Sequence, residues 1–404
     1  MAQKEGYLQK NNFTSADFDV LSFYKKCVQC PRKCGVNRVV STNTSDTNTS
    51  SPTTHVSSTT VNAGSVTTFS DSNMADSASC PTASALQPPL GFCRESSDLR
   101  LAFGGLHFGE EPLITVFGGS GTLFLTGCTL RCAFCQNYQI SQDGMGRKID
   151  EFEFTDICLK LQEKGAENIN LVTPSHHIPL LAEFIRKAKD SGVKIPFCWN
   201  SSAYENIEML ELLKGLVTIW LPDLKTLSSS LSSKLFGASN YPEAATKAIL
   251  WMIKNNPIEI QEIPAPPDEK EVEWSEKGSP RDKMTSGVII RHLFLPGRFE
   301  ESAKVLSWLK ENANGKAIIS LMNQYTPVKF REDEKQKKAR KESLSSIENR
   351  LVTVQEDSDL QDLIEVLDFE YLFYQELTDD TSWLPDFTRP QPFSNKLAVP
   401  LWHF

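Results

Sequence analysis

Six short apolar runs, each followed by a segment of different period, constrain this chain more than any other feature. The runs occupy 122–126, 168–172, 195–199, 217–221, 288–293 and 317–321 and favour β-structure. The segments between them have helical period. One begins near Thr155-Asp156 and stops at Gly165. A second carries Leu180, Leu181, Phe184, Ile185 and Ala188 on one face and stops at Gly192. A third spans about 204–215, a fourth starts with Pro242 in its first turn and runs to about 255, and a fifth spans about 299–315. Glycine just past the last apolar residue is the usual C-cap. Nearly continuous apolar strands alternating with helices imply an α/β fold with a parallel sheet under a helical cover. A barrel and a doubly wound sheet are both open at this point. In either, the working surface is the C-terminal edge of the strands.

Three stretches interrupt the pattern. Residues 41–70 hold eighteen Ser or Thr and one charged residue, Asp46, and low complexity continues to about Pro89. Such a segment cannot bury enough apolar surface to offset its ordering entropy, so 39–89 is expected to be a disordered insert. The Pro- and Glu/Lys-rich stretch at about 263–285 is expected to be a disordered loop. The third, Arg331 to about 349, mixes both charges densely and suits a coil or an exposed helix. The net charge of −9 argues against non-specific nucleic-acid binding. No apolar run approaches the ~18 residues of a membrane span. The start, Met1-Ala2-Gln3-Lys4-Glu5-Gly6, lacks the build of a signal or transit peptide. The expectation is a cytoplasmic protein with neither nucleic-acid nor membrane partners.

The ten cysteines are too sparse for a disulfide scaffold, and most are clustered, which points to metal ligands or catalytic groups. The first strand ends at Gly127, and Cys128, Cys132 and Cys135 follow at once with spacing C-x3-C-x2-C. Three thiolates can converge on one inorganic centre. A closed zinc site normally needs four ligands, whereas a four-iron cluster on three cysteines keeps one iron free for another molecule. Cys27-x2-Cys30-x3-Cys34 forms a second group, which Cys93 completes once the 39–89 insert is set aside. Closing that loop costs little extra entropy. Zinc, iron or a second iron–sulfur cluster suits these four. Cys80 falls in the insert, and Cys158 and Cys198 lie on apolar faces as core residues.

Cys128-x3-Cys132-x-Phe134-Cys135 resembles the radical S-adenosylmethionine signature. The runs Gly118 to Thr122, Gln136 to Ser141, Leu106 to Pro112 and Asn395 to Phe404 are similar to an uncharacterised branch related to the pyruvate formate-lyase activating enzyme. The resemblance implies a partial (β/α)6 TIM-like barrel. It implies a [4Fe–4S] cluster on Cys128, Cys132 and Cys135, with S-adenosylmethionine on the open iron. It implies reductive cleavage of that cofactor to a 5′-deoxyadenosyl radical that abstracts hydrogen. An electron donor such as a flavodoxin or ferredoxin is then a partner. The substrate is a glycine of a protein or a small molecule.

The candidate cofactor residues follow from the strand ends. Phe134 would pack near the adenine. Thr173 and Ser175 stand where relatives often carry Gly-Gly-Glu, so this chain departs from them there, and His176 or His177 could donate hydrogen bonds or protons. Asn200 and Ser201 end the third strand, with Asn200 in place of a carboxylate. Asp223 and Lys225 match the Asp-x-Lys of activating enzymes and would orient the cofactor carboxylate. Arg291 and His292 end the fifth strand. The expected division is an N-terminal Cys-rich module (1–38, completed by 90–113), the insert (39–89), the core barrel (114–328) and a charged insert with C-terminal extension (329–404). The alternative is a non-catalytic zinc- or iron–sulfur-binding interaction protein.

Overall fold

The computed structural model describes residues 19–39, 90–267, 278–394 and 397–404. Most of the expected Ser/Thr-rich insert, with Cys80, lies outside them. The strands are β1 (Arg100–His107), β2 (Ser120–Leu125), β3 (Arg147–Lys148), β4 (Ile169–Val172), β5 (Phe197–Ser201), β6 (Ile219–Pro222), β7 (Glu259–Ile263), β8 (Arg281–Leu293), β9 (Ile318–Met322), β10 (Leu372–Tyr374) and β11 (Ala398–His403). The helices are α1 (Ser22–Lys25), α2 (Tyr138–Ser141), α3 (Glu151–Glu163), α4 (Ile178–Asp190), α5 (Ile207–Leu210), α6 (Ser229–Phe236), α7 (Tyr241–Asn255), α8 (Phe299–Ala313), α9 (Glu334–Leu344) and α10 (Val354–Leu367). Among the described residues no helix is long and apolar enough to cross a membrane.

The sheet runs β10-β9-β8-β6-β5-β4-β2-β1-β11. From β2 to β10 every pairing is parallel, and β1 joins β2 antiparallel. The parallel strands follow chain order without a reversal, so the sheet has no topological switch point. One face carries Leu123, Leu171, Trp199, Trp220, Ile290 and Ile319, which merge with α3, α4, α7, α8 and α10 into one large core. The other face is plugged near the strand starts. Ile114, from the β1–β2 connection, packs there with Cys198, Ile219, Ile289 and Ile318. Asn168 donates its amide to the Ile114 carbonyl at 2.9 Å, which fixes the plug to β4.

Three differences from the sequence reading have plain causes. The expected helix at 204–215 is only α5 followed by a 3-10 turn, Glu211–Leu213, because Asn206 starts it late and Gly215 at φ +74° ends it. The expected loop at 263–285 is partly ordered: β7 pairs antiparallel with the first half of β8, from Ile263↔Arg281 to Glu259↔Ser286. Its residues are mostly exposed, so no apolar run marked it. Residues 268–277 lie outside the description. Residues 100–107, expected within the Cys-rich module, form β1 of the main sheet. In the charged stretch 331–349, α9 is a helix with no buried residue, held at its start by a capping box of Asp333 and Gln336.

Candidate functional site

The loop after β2 turns at Gly127, whose φ of +86° and neighbours demand glycine: a Cβ there would collide with the Glu95 side chain. Cys128 and Cys132 are buried, Cys135 is half-buried, and none forms a disulfide. The Cys128 sulfur accepts N–H bonds from Leu130 (3.3 Å) and Arg131 (3.5 Å), and the Cys135 sulfur meets the Ser141 hydroxyl at 3.3 Å. Burial pushes the Cys135 thiol up to about 11 and the Cys132 thiol higher, although Lys225 opposes the latter. Neighbouring elements clamp the loop. Ala133 donates its N–H to the Leu235 carbonyl of α6, and Gln142 donates to the Cys132 carbonyl. Arg340 of α9 donates to the Ala133 carbonyl at 2.8 Å.

The ends of β5, β6 and β8 bring Asn200, Asp223, Lys225 and Arg291 together. Arg291 donates to Asp223 (3.0 Å) and to the Asn200 side-chain oxygen (2.5 Å), and Lys225 reaches Asp223 at 2.8 Å. Burial pushes the Asp223 carboxyl up, but Lys225 and Arg291 outweigh it and hold the acid below its usual range. The sequence reading missed two partners, Glu110 and Glu111. Glu110 approaches Arg291 at 3.5 Å and accepts from Asn170 at 3.1 Å. Burial raises both glutamates, with Arg291 opposing. They sit in the β1–β2 connection, far in sequence from the strand ends, so only the resemblance of 106–112 drew notice to that run.

Thr173, just past β4, has φ +61° and donates its N–H to the Asn200 carbonyl at 2.9 Å. A β-branched residue in that conformation is strained, and such strain gathers at functional sites. Ser175 donates to Glu205 at 2.6 Å, and Trp199 donates to the same oxygen at 3.2 Å. Ser201 lies beside them and accepts the Ala203 N–H. Phe134 is buried against Phe236 and Tyr325, with ring centroids 6.1 and 6.0 Å away. His292 is placed elsewhere. It alternates with Arg291 onto the helical face, where Nδ1 meets the Leu224 carbonyl and Nε2 meets the Ser302 hydroxyl. His176 and His177 are buried: His176 Nε2 meets the Thr126 carbonyl, and His177 Nδ1 meets the Tyr24 hydroxyl.

Beside the cysteine loop an open cleft is walled by Leu351 and three segments: Gln136–Gln139 of the loop and α2, Thr326–Arg331 beyond β9, and Thr381–Asp386 of the C-terminal extension. Gln139 ties the last to the first, donating to Asp386 (3.0 Å) and accepting the Phe387 N–H (2.8 Å).

Three thiols and a buried ion-pair network stand at the C-terminal edge of one parallel sheet, and residues 122–276, which include them up to Lys225, match the model of the Radical SAM superfamily. The chain is related to the uncharacterized protein MJ0674 of Methanocaldococcus jannaschii, at 29% identity over 248 residues, covering 59% of this chain and 61% of that one. It is also related to the pyruvate formate-lyase-activating enzyme of Listeria monocytogenes, at 28% over 130 residues, covering 30% and 52%. The chain thus spans less than two thirds of either relative. Among solved structures, Streptococcus suis SuiB bound to S-adenosylmethionine overlays with TM-score 0.39 at 14% identity, covering 64% of this chain and 47% of that one. Methylornithine synthase (PylB) overlays with TM-score 0.39 at 12%, covering 63% and 70%.

Proposed function

We propose that the chain is a radical S-adenosylmethionine enzyme built on a partial (β/α)6 barrel. Cys128, Cys132 and Cys135 hold its [4Fe–4S] cluster. The donor set fits: three unpaired thiols share one loop, N–H groups point at Cys128, and the Lys225 ammonium stands close enough to Cys132 to stabilise its thiolate. Bound there, the cluster and S-adenosylmethionine supply a one-electron cleavage and a carbon radical able to remove a hydrogen atom.

The chain's own residues bind, orient and seal. Lys225 and Arg291 present positive charge where the cofactor carboxylate lies, and Asp223, pinned between them, presents a carboxylate to its ammonium. Asn200, Thr173, Ser175 and Ser201 line the same edge, and Phe134 covers the adenine side. His292 supports this edge from behind through the Leu224 carbonyl. The cleft beside Gln136 admits the substrate, a protein glycine or a small molecule. The first is favoured by the similarity to activating enzymes. A flavodoxin or ferredoxin supplies the electron. The unpaired cysteines suit the reducing cytoplasm.

The observation that carries this reading is the placement of the three thiols directly after β2, beside Lys225 and Asp223. Anaerobic reconstitution with iron and sulfide, then S-adenosylmethionine and dithionite, tests it. About four irons per chain on the cluster loop and release of 5′-deoxyadenosine are expected. A fully loaded protein that releases none would overturn the proposal.

A further inference from the structure

The other cysteine group also converges. Cys27, Cys30, Cys34 and Cys93 line a single pocket together with Arg38 and Thr129. Two of the four sulfurs have an N–H group aimed at them. Cys27 accepts from the Arg38 guanidinium (3.5 Å) and Cys34 from the Phe92 backbone (3.5 Å). Left-handed turns at Lys33, Gly35 and Arg94 shape the chain around the pocket. Such donors strengthen markedly when the sulfur carries charge.

Arg38 supplies the second argument. It is 1% exposed, and its remaining N–H groups go to the neutral carbonyls of Glu95, Ser96 and His176. No salt bridge among the described residues involves it. A buried guanidinium calls for a counter-charge, and sulfur is the nearest source of one. Four thiolates in one pocket repel each other unless a cation joins them.

We propose that Cys27, Cys30, Cys34 and Cys93 hold a second metal centre, zinc or an iron–sulfur cluster, with Arg38 balancing its negative charge. Among the described residues no three His, Cys, Asp or Glu side chains already meet as a single-ion site. The four sulfurs therefore draw in around one ion, or spread over several irons. The centre braces the cluster loop. Arg32, between Cys30 and Cys34, donates to the carbonyls of Thr129 (2.5 Å), Phe236 (2.7 Å) and Gly237 (2.8 Å).

The test is metal content of the full-length Cys128→Ser/Cys132→Ser/Cys135→Ser variant, purified anaerobically and then offered zinc, or iron with sulfide. It does not depend on the reading of the first site. Retention of about one zinc, or of about two to four irons with matching sulfide, is expected, and loss on adding Cys30→Ser and Cys93→Ser. Zinc alone identifies a single ion; iron with sulfide identifies a cluster. A folded triple variant that holds neither metal overturns the proposal. Should that variant not fold, Cys30→Ser/Cys93→Ser in the wild-type background decides. A fall in metal per chain supports the centre, and an unchanged content overturns it.

Discussion

At the scale of single residues, the alternation of a strand separates two neighbours with opposite duties. Arg291 faces the ion-pair network, while His292 faces the helices and is 1% exposed. The Leu224 carbonyl can only accept, so Nδ1 of His292 carries the proton and Nε2 accepts from Ser302. Burial lowers this histidine from 6.5 to about 4. Its folded form stays neutral while the unfolded chain protonates. The stability it contributes is therefore present above pH 6.5 and lost as pH falls toward 4, about 3 kcal/mol at most. The difference in unfolding free energy between wild type and His292→Asn should shrink by that order between pH 7 and pH 4.5 in urea titrations. Arg291→Met behaves differently. It strands Glu110 and Glu111, leaves Asp223 with Lys225 alone, and should cost about 3–5 kcal/mol at pH 7.5. The loss should lessen at pH 5, where the stranded carboxyls take up protons. A pH-independent loss would show that the network is not electrostatically coupled.

At the scale of elements, the main βα units were readable because they bury complete faces. The elements that shape the site's surroundings were not. β10 and β11 are short or half-exposed and β7 is nearly all exposed, so each lacks the apolar run that marks a central strand; β1 is buried, but Gly104-Gly105 interrupts its apolar run. The positions of Asp223, Lys225, Cys128, Cys132 and Cys135 at strand ends were legible because each follows a strand-like run. Glu110 and Glu111 were not, because their partners come from β4 and β8. α9 shows how a helix without a core can matter. None of its residues is buried, yet Arg340 stacks 3.5 Å over the Phe330 ring and donates to Ala133 within the cysteine loop. Arg340→Ala should therefore loosen the loop more than the fold. Hydrogen exchange should quicken over 128–142, and the reconstituted cluster should be lost several-fold faster to a chelator, with global stability lowered by about 1 kcal/mol or less. Unchanged exchange in that window would place α9 outside the site's support.

At the scale of the molecule, the C-terminal extension returns to where the chain began its sheet. β11 pairs with β1, and Phe387 and Phe393 pack on Phe103 and Phe124 at the strand ends beside the cysteine loop. Gln139 grips the same segment next to the cleft. The extension that gives the cleft this wall lies beyond the 122–276 match to the superfamily model. The radical site proposed above must exclude water and oxygen, and this apolar clasp borders it. Phe387 is 2% exposed, and Phe387→Ala should cost about 3–4 kcal/mol if the extension is integral to the core. Cys128, Cys132 and Cys135 are untouched by the change, so anaerobic iron content should hold. In air the cluster absorbance should bleach several-fold faster than in wild type. Stability lost with no change in bleaching would mean that the extension only completes the fold; faster bleaching would mean that it also seals the site.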